Sequence, residues 1–298
     1  MIGMRARFGI GAATAALAVT AVAGCSGSGG GGGATGLGGS GAATTGGGNP
    51  AELSLVADAM NKASAAGTVK ITGTMTAPGV GAPMTMTAQE QNSPTFEMSM
   101  STQIEGRAMS EILVGDVFYM DYSALSPELD GKQWAEIDLS KVTSLGSLSS
   151  LLNSARNENP TTQIAALVAS GTVTKVGTES VNGQSTTHYA GTLNASQLLK
   201  AGTASSNLSA AQLSQLKSEL QSAGVSTVKI DLWVASTGLP VEEKYSEQTA
   251  AGTATGDLFM SDWGSPVTIG APPASQVYNL TSALESAQAG ATATASAG

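Results

Sequence analysis

The residues of this chain that could do chemistry are few, and a single cysteine is the most informative of them. Cys25 follows an apolar run over residues 8–23, which the cations Arg5 and Arg7 precede. Cations, a short apolar stretch and then small residues are typical of a secretory signal peptide. A thiol at the end of that stretch is the nucleophile that a lipid transfer needs. We therefore expect residues 1–24 to be removed and Cys25 to be lipidated.

The residues beside the cysteine favour the same interpretation. Val22-Ala23-Gly24-Cys25 looks like the bacterial lipobox, in which a diacylglycerol is attached to the sulfur and the leader is cut just before it. Two alternatives stay open: an uncleaved transmembrane anchor, for which the apolar run is short, and a chance cysteine in an ordinary signal peptide. With no second cysteine the chain cannot form an internal disulfide, so packing must stabilise it.

Catalytic and metal chemistry has little material in this sequence. His188 is the only histidine, which excludes zinc or iron sites built from two or more imidazoles. Neither a G-x-S-x-G elbow nor a G-x-x-x-x-G-K-[ST] loop occurs. A Ser/His/Asp triad around His188 stays open because triads are assembled in space, but a structural place in a strand over residues 187–189 is favoured. We predict no catalytic residue, no metal site and no cofactor.

The closest concentration of carboxylates lies between residues 116 and 138. It comprises Asp116, Asp121, Asp130, Glu136 and Asp138. Paired carboxylates can serve glycoside hydrolysis or calcium binding, but the alternating D-x-D-x-D loop is missing. Acidic and apolar residues alternate over residues 134–139, so a solvated strand face is favoured.

Seven methionines in the first half of the predicted sheet form a more suggestive group. They are Met75, Met84, Met86, Met98, Met100, Met109 and Met120. Methionine is unbranched and polarizable, so a surface lined with it adapts to varied apolar partners, as a cavity for acyl chains would require. The alternative is that these side chains only fill gaps beneath the helices.

Charge argues against polyanionic partners. Removal of Arg5 and Arg7 leaves 11 of the 13 Lys and Arg residues against 22 Asp and Glu, a formal net charge of −11. Binding to nucleic acid or to anionic headgroups by charge is therefore disfavoured.

These residues belong to a chain with clear divisions. Residues 25–48 comprise the cysteine and a glycine-rich stretch that predicts a flexible tether with a reach of about 25–30 Å. Residues 285–298 predict a disordered tail. Residues 49–284 are long enough for one domain with a sizeable core, and we expect a monomer.

The domain opens with a predicted helix over residues 49–67, followed by strands with period-two alternation. Further strands are predicted at 109–114, 117–121, 133–139, 225–235, 239–248 and 253–261, and a hairpin over 172–193 turns at Asn182-Gly183. Helical patterns occupy residues 144–169 and 209–223. The candidate lipid-contacting residues are the inward-phase and helix-face positions Val69, Ile71, Met75, Met84, Met86, Phe96, Met98, Met100, Leu148, Leu151, Leu152, Leu213 and Leu216.

The summed pattern predicts an α+β fold in which a large antiparallel sheet has one apolar face and amphipathic helices cover it. A curved sheet that the helices fill only in part would leave an apolar cavity on its concave side.

Four stretches of the sequence resemble a known family. They are Val117-Phe118-Tyr119-Met120 through Gly131–Leu139, Val176–Gly183 with Thr187-His188-Tyr189, Asp231–Val234 with Gly238–Val241, and Ser261–Val267 with Ala271-Pro272-Pro273. These phrases resemble the actinobacterial LppX/LprG-type lipoproteins with a LolA-like fold. The resemblance implies a half β-barrel of antiparallel strands, helices over its concave face, and a hydrophobic cavity for lipids or glycolipids.

Three functional hypotheses follow. The leading one is a non-enzymatic carrier that binds acyl chains of a lipid, lipoglycan or lipoprotein and is anchored through Cys25 on the extracytoplasmic face of the cell membrane. The first rival is an envelope protein-binding or sensory lipoprotein with a filled core. The second is an envelope hydrolase, which would need a serine and a carboxylate beside His188.

Overall fold

The computed structural model describes residues 50–92, 95–104, 106–121, 129–141, 173–199 and 210–282. The helices are α1 (Pro50–Ala66) and α2 (Ala210–Ala223), with short helical segments at 195–199 and 280–282. The strands are β1 (Thr68–Thr76), β2 (Met84–Gln91), β3 (Glu97–Ile104), β4 (Arg107–Val114), β5 (Val117–Asp121), β6 (Trp134–Asp138), β7 (Thr174–Val181), β8 (Gln184–Asn194), β9 (Thr227–Ala235), β10 (Pro240–Thr249), β11 (Gly252–Ser261) and β12 (Val277–Asn279).

All twelve strands form one sheet in the order β12-β6-β5-β4-β3-β2-β1-β11-β10-β9-β8-β7. Neighbouring strands are antiparallel except for β12 and β6. Within the described residues β7 and β12 are the two edges, so the sheet is open. Because strands twist, an open sheet of this many strands must curl rather than lie flat.

Side-chain alternation gives the sheet two unlike faces. In β1 the residues Val69, Ile71 and Met75 are buried, whereas Thr72 and Thr74 between them are exposed. The antiparallel register carries this phase across the sheet, for example by pairing Met75 with Met84. We call the face with the buried apolar side chains the inner face and the opposite one the outer face.

Helix α1 covers part of the inner face. Val56, Ala59, Met60 and Ala63 recur at helical spacing and are at most 9% exposed, packed in one core cluster with the strands. The helix contacts β10 and β7. Two polar contacts hold its position: Lys62 Nζ donates to the Thr237 carbonyl at 3.0 Å, and the backbone N–H of Lys175 donates to Glu52 Oε2 at 3.0 Å.

Helix α2 reaches the sheet from the opposite end of the strands. Helix α2 precedes the start of β9. Helix α1 precedes the start of β1, and the same end of the sheet contains the start of β10 and the ends of β9 and β11. The backbone N–H of Val225 donates to the Leu220 carbonyl at 2.9 Å and ends α2, and Leu220 packs against the core cluster. The prediction of an antiparallel sheet with helices on one face is confirmed.

The hairpin prediction at Asn182-Gly183 is also confirmed. Both residues have positive φ, 48° and 79°, as a two-residue turn of the primed type requires between β7 and β8. The other predicted strands occur within one or two residues of their expected bounds. The helical pattern predicted over residues 144–169 lies outside the described residues.

The end of the described chain departs from the expected all-antiparallel pattern. After β11 the chain passes to the far edge of the sheet, where β12 pairs with β6 in parallel. The backbone N–H of Asp138 donates to Thr281 Oγ1 at 2.7 Å, and Asn279 Nδ2 donates to Glu136 Oε1 at 3.0 Å. Three residues are too few to show a period, so this strand depends on its tertiary partner.

A glycine in β11 allows a close approach on the inner face. Gly256 lies opposite Tyr245 of β10, and a Cβ added to Gly256 would be 2.0 Å from Tyr245 Cε1. The tyrosine ring therefore lies directly over the glycine backbone. Because Tyr245 is only 7% exposed, its ring has little room to move aside.

We predict that Gly256→Ala destabilises the protein by about 1–3 kcal/mol, since the new methyl group overpacks against the Tyr245 ring. Gly177→Ala in β7 is the matched control, because a Cβ there meets nothing within 4 Å. Urea unfolding followed by circular dichroism measures both. Equal midpoints for the two variants would contradict the prediction.

Candidate functional site

Seven of the predicted lipid-contacting residues lie together on the inner face. Their exposed fractions are all at most 7%, and they share one core cluster: Val69, Ile71, Met75, Met84, Met86, Met98 and Met100. Phe96, just before β3, is partly buried against the same cluster. We call the seven buried residues, which all lie on strands β1 to β3, the methionine surface.

The remaining predicted lipid-contacting residues cannot be placed on this surface, because their side chains are outside the described part of the chain. Leu148, Leu151 and Leu152 lie outside the described residues. Leu213 and Leu216 fall within α2, as their spacing predicted, but their side chains are not among those described. Their contact with a lipid stays a prediction.

The inner face also carries carboxyl groups that sequence reasoning missed. Among the described residues, Glu90, Glu111 and Glu243 point to the inner face and are only 0%, 4% and 2% exposed. Their phase follows from register, because Glu90 pairs with Met98 and Glu243 pairs with Leu258. The inner face is therefore apolar with a few embedded acids rather than uniformly apolar.

Glu111 lies at the β3–β5 side of this surface. It is the register partner of Met100 on β3 and of Met120 on β5. Burial raises its pKa from 4.5 to about 7, because the apolar surroundings disfavour the charged form.

Glu243 lies in the part of the inner face formed by β9 to β11. Its register partners are Leu232 and Leu258, and its Oε2 has no hydrogen-bond partner among the residues the structure describes. Burial raises its pKa to about 8, so the carboxyl carries a proton at neutral pH. Glu247, two inner-face positions further along β10, also has its pKa raised by burial.

The signal for Glu90 and Glu111 is visible in the sequence once the strand phase is followed. Glu90 continues the inward series Met84, Met86, Ala88, and Glu111 precedes Leu113 in the same phase. An acidic residue in the buried phase of a strand is rare enough to be a marker of a specific role.

The outer face carries a separate polar network around His188. Its Nδ1 lies 2.9 Å from Glu179 Oε1 and its Nε2 lies 2.8 Å from Asp231 Oδ1. The imidazole stacks on Trp233 at 4.2 Å between ring centroids, and Lys244 Nζ lies 5.1 Å from the Trp233 ring centroid. A hydrogen bond from Trp233 Nε1, and then one from His188, lower the pKa of Glu179.

This network occupies both ring nitrogens of His188. Both ring nitrogens already meet carboxylates, so a serine hydroxyl has no imidazole nitrogen to donate to in this structure. The network joins β7, β8 and β9 and gives His188 the structural place that the sequence favoured. Glu179 lies nine residues away in the same β7–β8 hairpin, whereas Asp231 lies 43 residues away and is brought to His188 by the pairing of β8 with β9.

The carboxylates between residues 116 and 138 lie away from the methionine surface. Asp121, Glu136 and Asp138 lie on the outer face of β5 and β6, and Asp138 pairs with Lys141 at 2.7 Å. A shallow pocket of about 250 Å³ opens on this outer face, lined by Tyr119, Glu136, Ala271, Pro272, Ala274, Val277 and Asn279. Burial, and then the nearby charge of Glu136, raise the pKa of Tyr119.

Among the described residues no three His, Cys, Asp or Glu side chains lie close enough to hold a metal ion. No helix in the described part of the chain combines the length and apolar character needed to cross a membrane.

A family comparison identifies the chain. The LppX_LprAFG lipoprotein family matches residues 94–269, which is more than half of the sequence and contains the strands from β3 to β11. The chain belongs to this family. The resemblance drawn from the short sequence phrases is thereby confirmed.

The LppX_LprAFG member described here is similar to several individual proteins. An uncharacterised 31.2 kDa protein of Streptomyces griseus is 33% identical over 180 residues, covering 59% of this chain and 57% of that protein, so the chain spans little more than half of its length. The crystal structure of LprF from Mycobacterium bovis matches with 15% identity and a TM-score of 0.47, covering 76% of this chain and 99% of that one. Lipoprotein LppX of Mycobacterium tuberculosis matches with 15% identity and a TM-score of 0.45, covering 74% and 100%.

The two inner-face acids with the largest pKa shifts predict how stability depends on pH. Their folded pKa values, about 7 for Glu111 and about 8 for Glu243, lie above 4.5, the ordinary pKa of a glutamic acid side chain. Between pH 4.5 and its folded pKa, each carboxyl holds a proton in the folded state that the unfolded state has released. The contribution of that carboxyl to the free energy of unfolding is therefore complete below pH 4.5 and is lost as the pH rises toward the folded pKa.

We predict that Glu243→Gln makes the free energy of unfolding fall less steeply with pH, by about 1.4 kcal/mol per pH unit, between about pH 5 and 8. Glu111→Gln should give the same change but only up to about pH 7, which serves as an internal comparison. Urea titrations at a series of pH values measure the slopes. Slopes identical to that of the unmodified protein would contradict the prediction.

Proposed function

We propose that this protein is a non-enzymatic lipoprotein that binds or carries the acyl chains of lipids or glycolipids on the extracytoplasmic face of the cell membrane. The observation that carries the proposal is the methionine surface. It extends over β1 to β3 on one face of a large open sheet, in a chain that belongs to a lipoprotein family.

Lipid binding in this proposal depends on the adaptability of the methionine surface. Methionine side chains change shape at little cost, so they can pack against chains of different length and saturation. Each methylene removed from water contributes about 0.8 kcal/mol, so even part of one acyl chain supplies useful affinity. The side chains are closely packed in the present structure, so a ligand enters by displacing some of them and the helices above.

Anchorage through Cys25 belongs to the same proposal. Lipidation there would hold the domain on the glycine-rich tether of residues 26–48, within roughly 30 Å of the bilayer that supplies its ligands. The net negative charge disfavours a second, electrostatic attachment to anionic lipids.

We predict that Cys25→Ser abolishes stable membrane association, because the serine hydroxyl cannot take the place of the thiol in lipid transfer. Fractionation of the producing cells and mass measurement of the mature chain provide the test. Ser26→Ala is the matched control and should remain in the detergent-extracted membrane fraction with the mass of a diacylglycerol added. Membrane association of Cys25→Ser equal to that of the control would contradict lipidation at this position.

We predict that the chain from residue 26 onward takes up fluorescent fatty acids and phospholipids, and that Met86→Trp reduces this uptake by filling part of the methionine surface. The deletion removes none of the described elements. Native mass spectrometry and fluorescence titration measure the binding, with circular dichroism as the check on folding.

The control for this experiment is Thr87→Trp. Thr87 neighbours Met86 in β2 but is exposed on the outer face, so the same bulky side chain leaves the methionine surface unchanged. Ligand-free protein alone, with no uptake by any variant, would refute the proposed function. Equal uptake by the two tryptophan variants would place the ligand elsewhere.

One observation favours a second candidate, an envelope protein-binding or sensory lipoprotein with a filled core. The inner-face side chains are almost fully buried, as a permanently packed interior would require. The lipid-uptake experiment separates the two, because a filled core takes up no acyl chain.

A further inference from the structure

Among the described residues, the inner face carries a buried acidic group with an oxygen that has no hydrogen-bond partner. Glu243 is 2% exposed, and its Oε2 has no partner among the described residues. An unpaired buried polar atom destabilises the fold, because its lost hydrogen bonds to water are not replaced. A ligand that supplies the missing partner recovers that cost on binding.

The chain itself does not offer Glu243 a counter-ion from its neighbours in sequence. Lys244 is the next residue, and strand alternation places it on the outer face. There it pairs with Glu242 at 2.7 Å and with Asp257 at 3.4 Å, and it lies near the Trp233 ring. The positive charge beside Glu243 in sequence is therefore committed to the other side of the sheet.

The side chains around Glu243 define its immediate environment. Its register partners on β9 and β11 are Leu232 and Leu258, both 2% or less exposed. The next inner-face residue of β10 is Tyr245, which packs over Gly256. In such apolar surroundings a carboxyl is held neutral, and a neutral carboxyl has an O–H that donates a hydrogen bond.

The register also connects Glu243 to the methionine surface. Glu243 pairs with Leu258, Leu258 pairs with Gly73, and Gly73 pairs with Met86. This row crosses four adjacent strands at about 4.8 Å per strand, so Glu243 lies about 14 Å from the position of Met86. A ligand with a polar end at Glu243 can therefore lay its hydrocarbon along the row.

We propose that Glu243 is a binding residue that donates a hydrogen bond to the carbonyl oxygen of an ester-linked acyl chain whose hydrocarbon lies on the methionine surface. This inference rests on the proposed lipid-binding function and makes it more specific. The class of ligand is a neutral acyl ester, chosen over a plain hydrocarbon, which has no acceptor, and over a lipophilic amine, which requires an ionised carboxylate.

The test compares three probes of equal chain length: methyl palmitate, hexadecane and hexadecylamine. Each is titrated into the chain from residue 26 onward in the unmodified form and as Glu243→Leu and Glu243→Gln. Leucine removes the donor but fills a similar volume, and replacing an unpaired buried carboxyl with it leaves folding intact. Glutamine keeps a donor, through its amide N–H, without the acid.

We expect the unmodified protein to bind methyl palmitate roughly tenfold more tightly than hexadecane, as one buried hydrogen bond provides. Glu243→Leu should lose this preference while keeping its affinity for hexadecane, and Glu243→Gln should retain it. Glu242→Gln is the matched control, because it removes a carboxylate from the outer face of the same strand. It should behave as the unmodified protein.

The possible failures are distinguishable. Unchanged ester preference in Glu243→Leu, or equal affinities of the unmodified protein for ester and hydrocarbon, would overturn the role of Glu243 and leave lipid binding intact. Tightest binding of hexadecylamine, lost in Glu243→Gln, would overturn the ester assignment in favour of an ionised carboxylate. Binding of none of the three probes by any variant would overturn the proposed function and the inference together.

Discussion

The burial of one apolar sheet face without covalent cross-links is the constraint on which this structure depends. A chain with one cysteine cannot use a disulfide, so the strands must place their apolar side chains in one phase and a helix must cover them. Helix α1 does so with Val56, Ala59, Met60 and Ala63. The same requirement explains the low exposure of the methionine surface and the close approach of Tyr245 to Gly256.

The two faces of the sheet accommodate acidic side chains in different ways. On the outer face, acids pair with basic neighbours: Glu179 and Asp231 contact His188, and Glu242 and Asp257 contact Lys244. On the inner face, burial raises the pKa of Glu111 to about 7 and that of Glu243 to about 8, so the apolar surroundings favour the neutral form of each acid. A protein that only needed a stable core would gain by replacing such acids with apolar residues. Their presence on the same face as the methionine surface is the reason for proposing that Glu243 takes part in recognition.

Location and binding surface support each other in the proposed function. Lipidation of Cys25, as proposed, would keep the domain close to a source of acyl chains, while the methionine surface would offer a place for them. The His188 network, the outer-face carboxylates and the shallow pocket at Tyr119 lie on the opposite side of the sheet. The proposed lipid contacts and these polar groups therefore lie on different faces of the sheet.

The sequence by itself determined the period-two strands, the leading helix, the hairpin at Asn182-Gly183 and the phase of the seven methionine-surface residues, because all of these follow from local pattern. The phase of Glu243 did not, since Glu242 and Glu243 are adjacent and both buried, and a register shift between Pro240 and Glu242 decides which of them points inward. The contact of His188 with Asp231 and the parallel pairing of β12 with β6 were likewise decided only by the tertiary structure. Each depends on contacts between residues far apart in the chain, which no local period encodes.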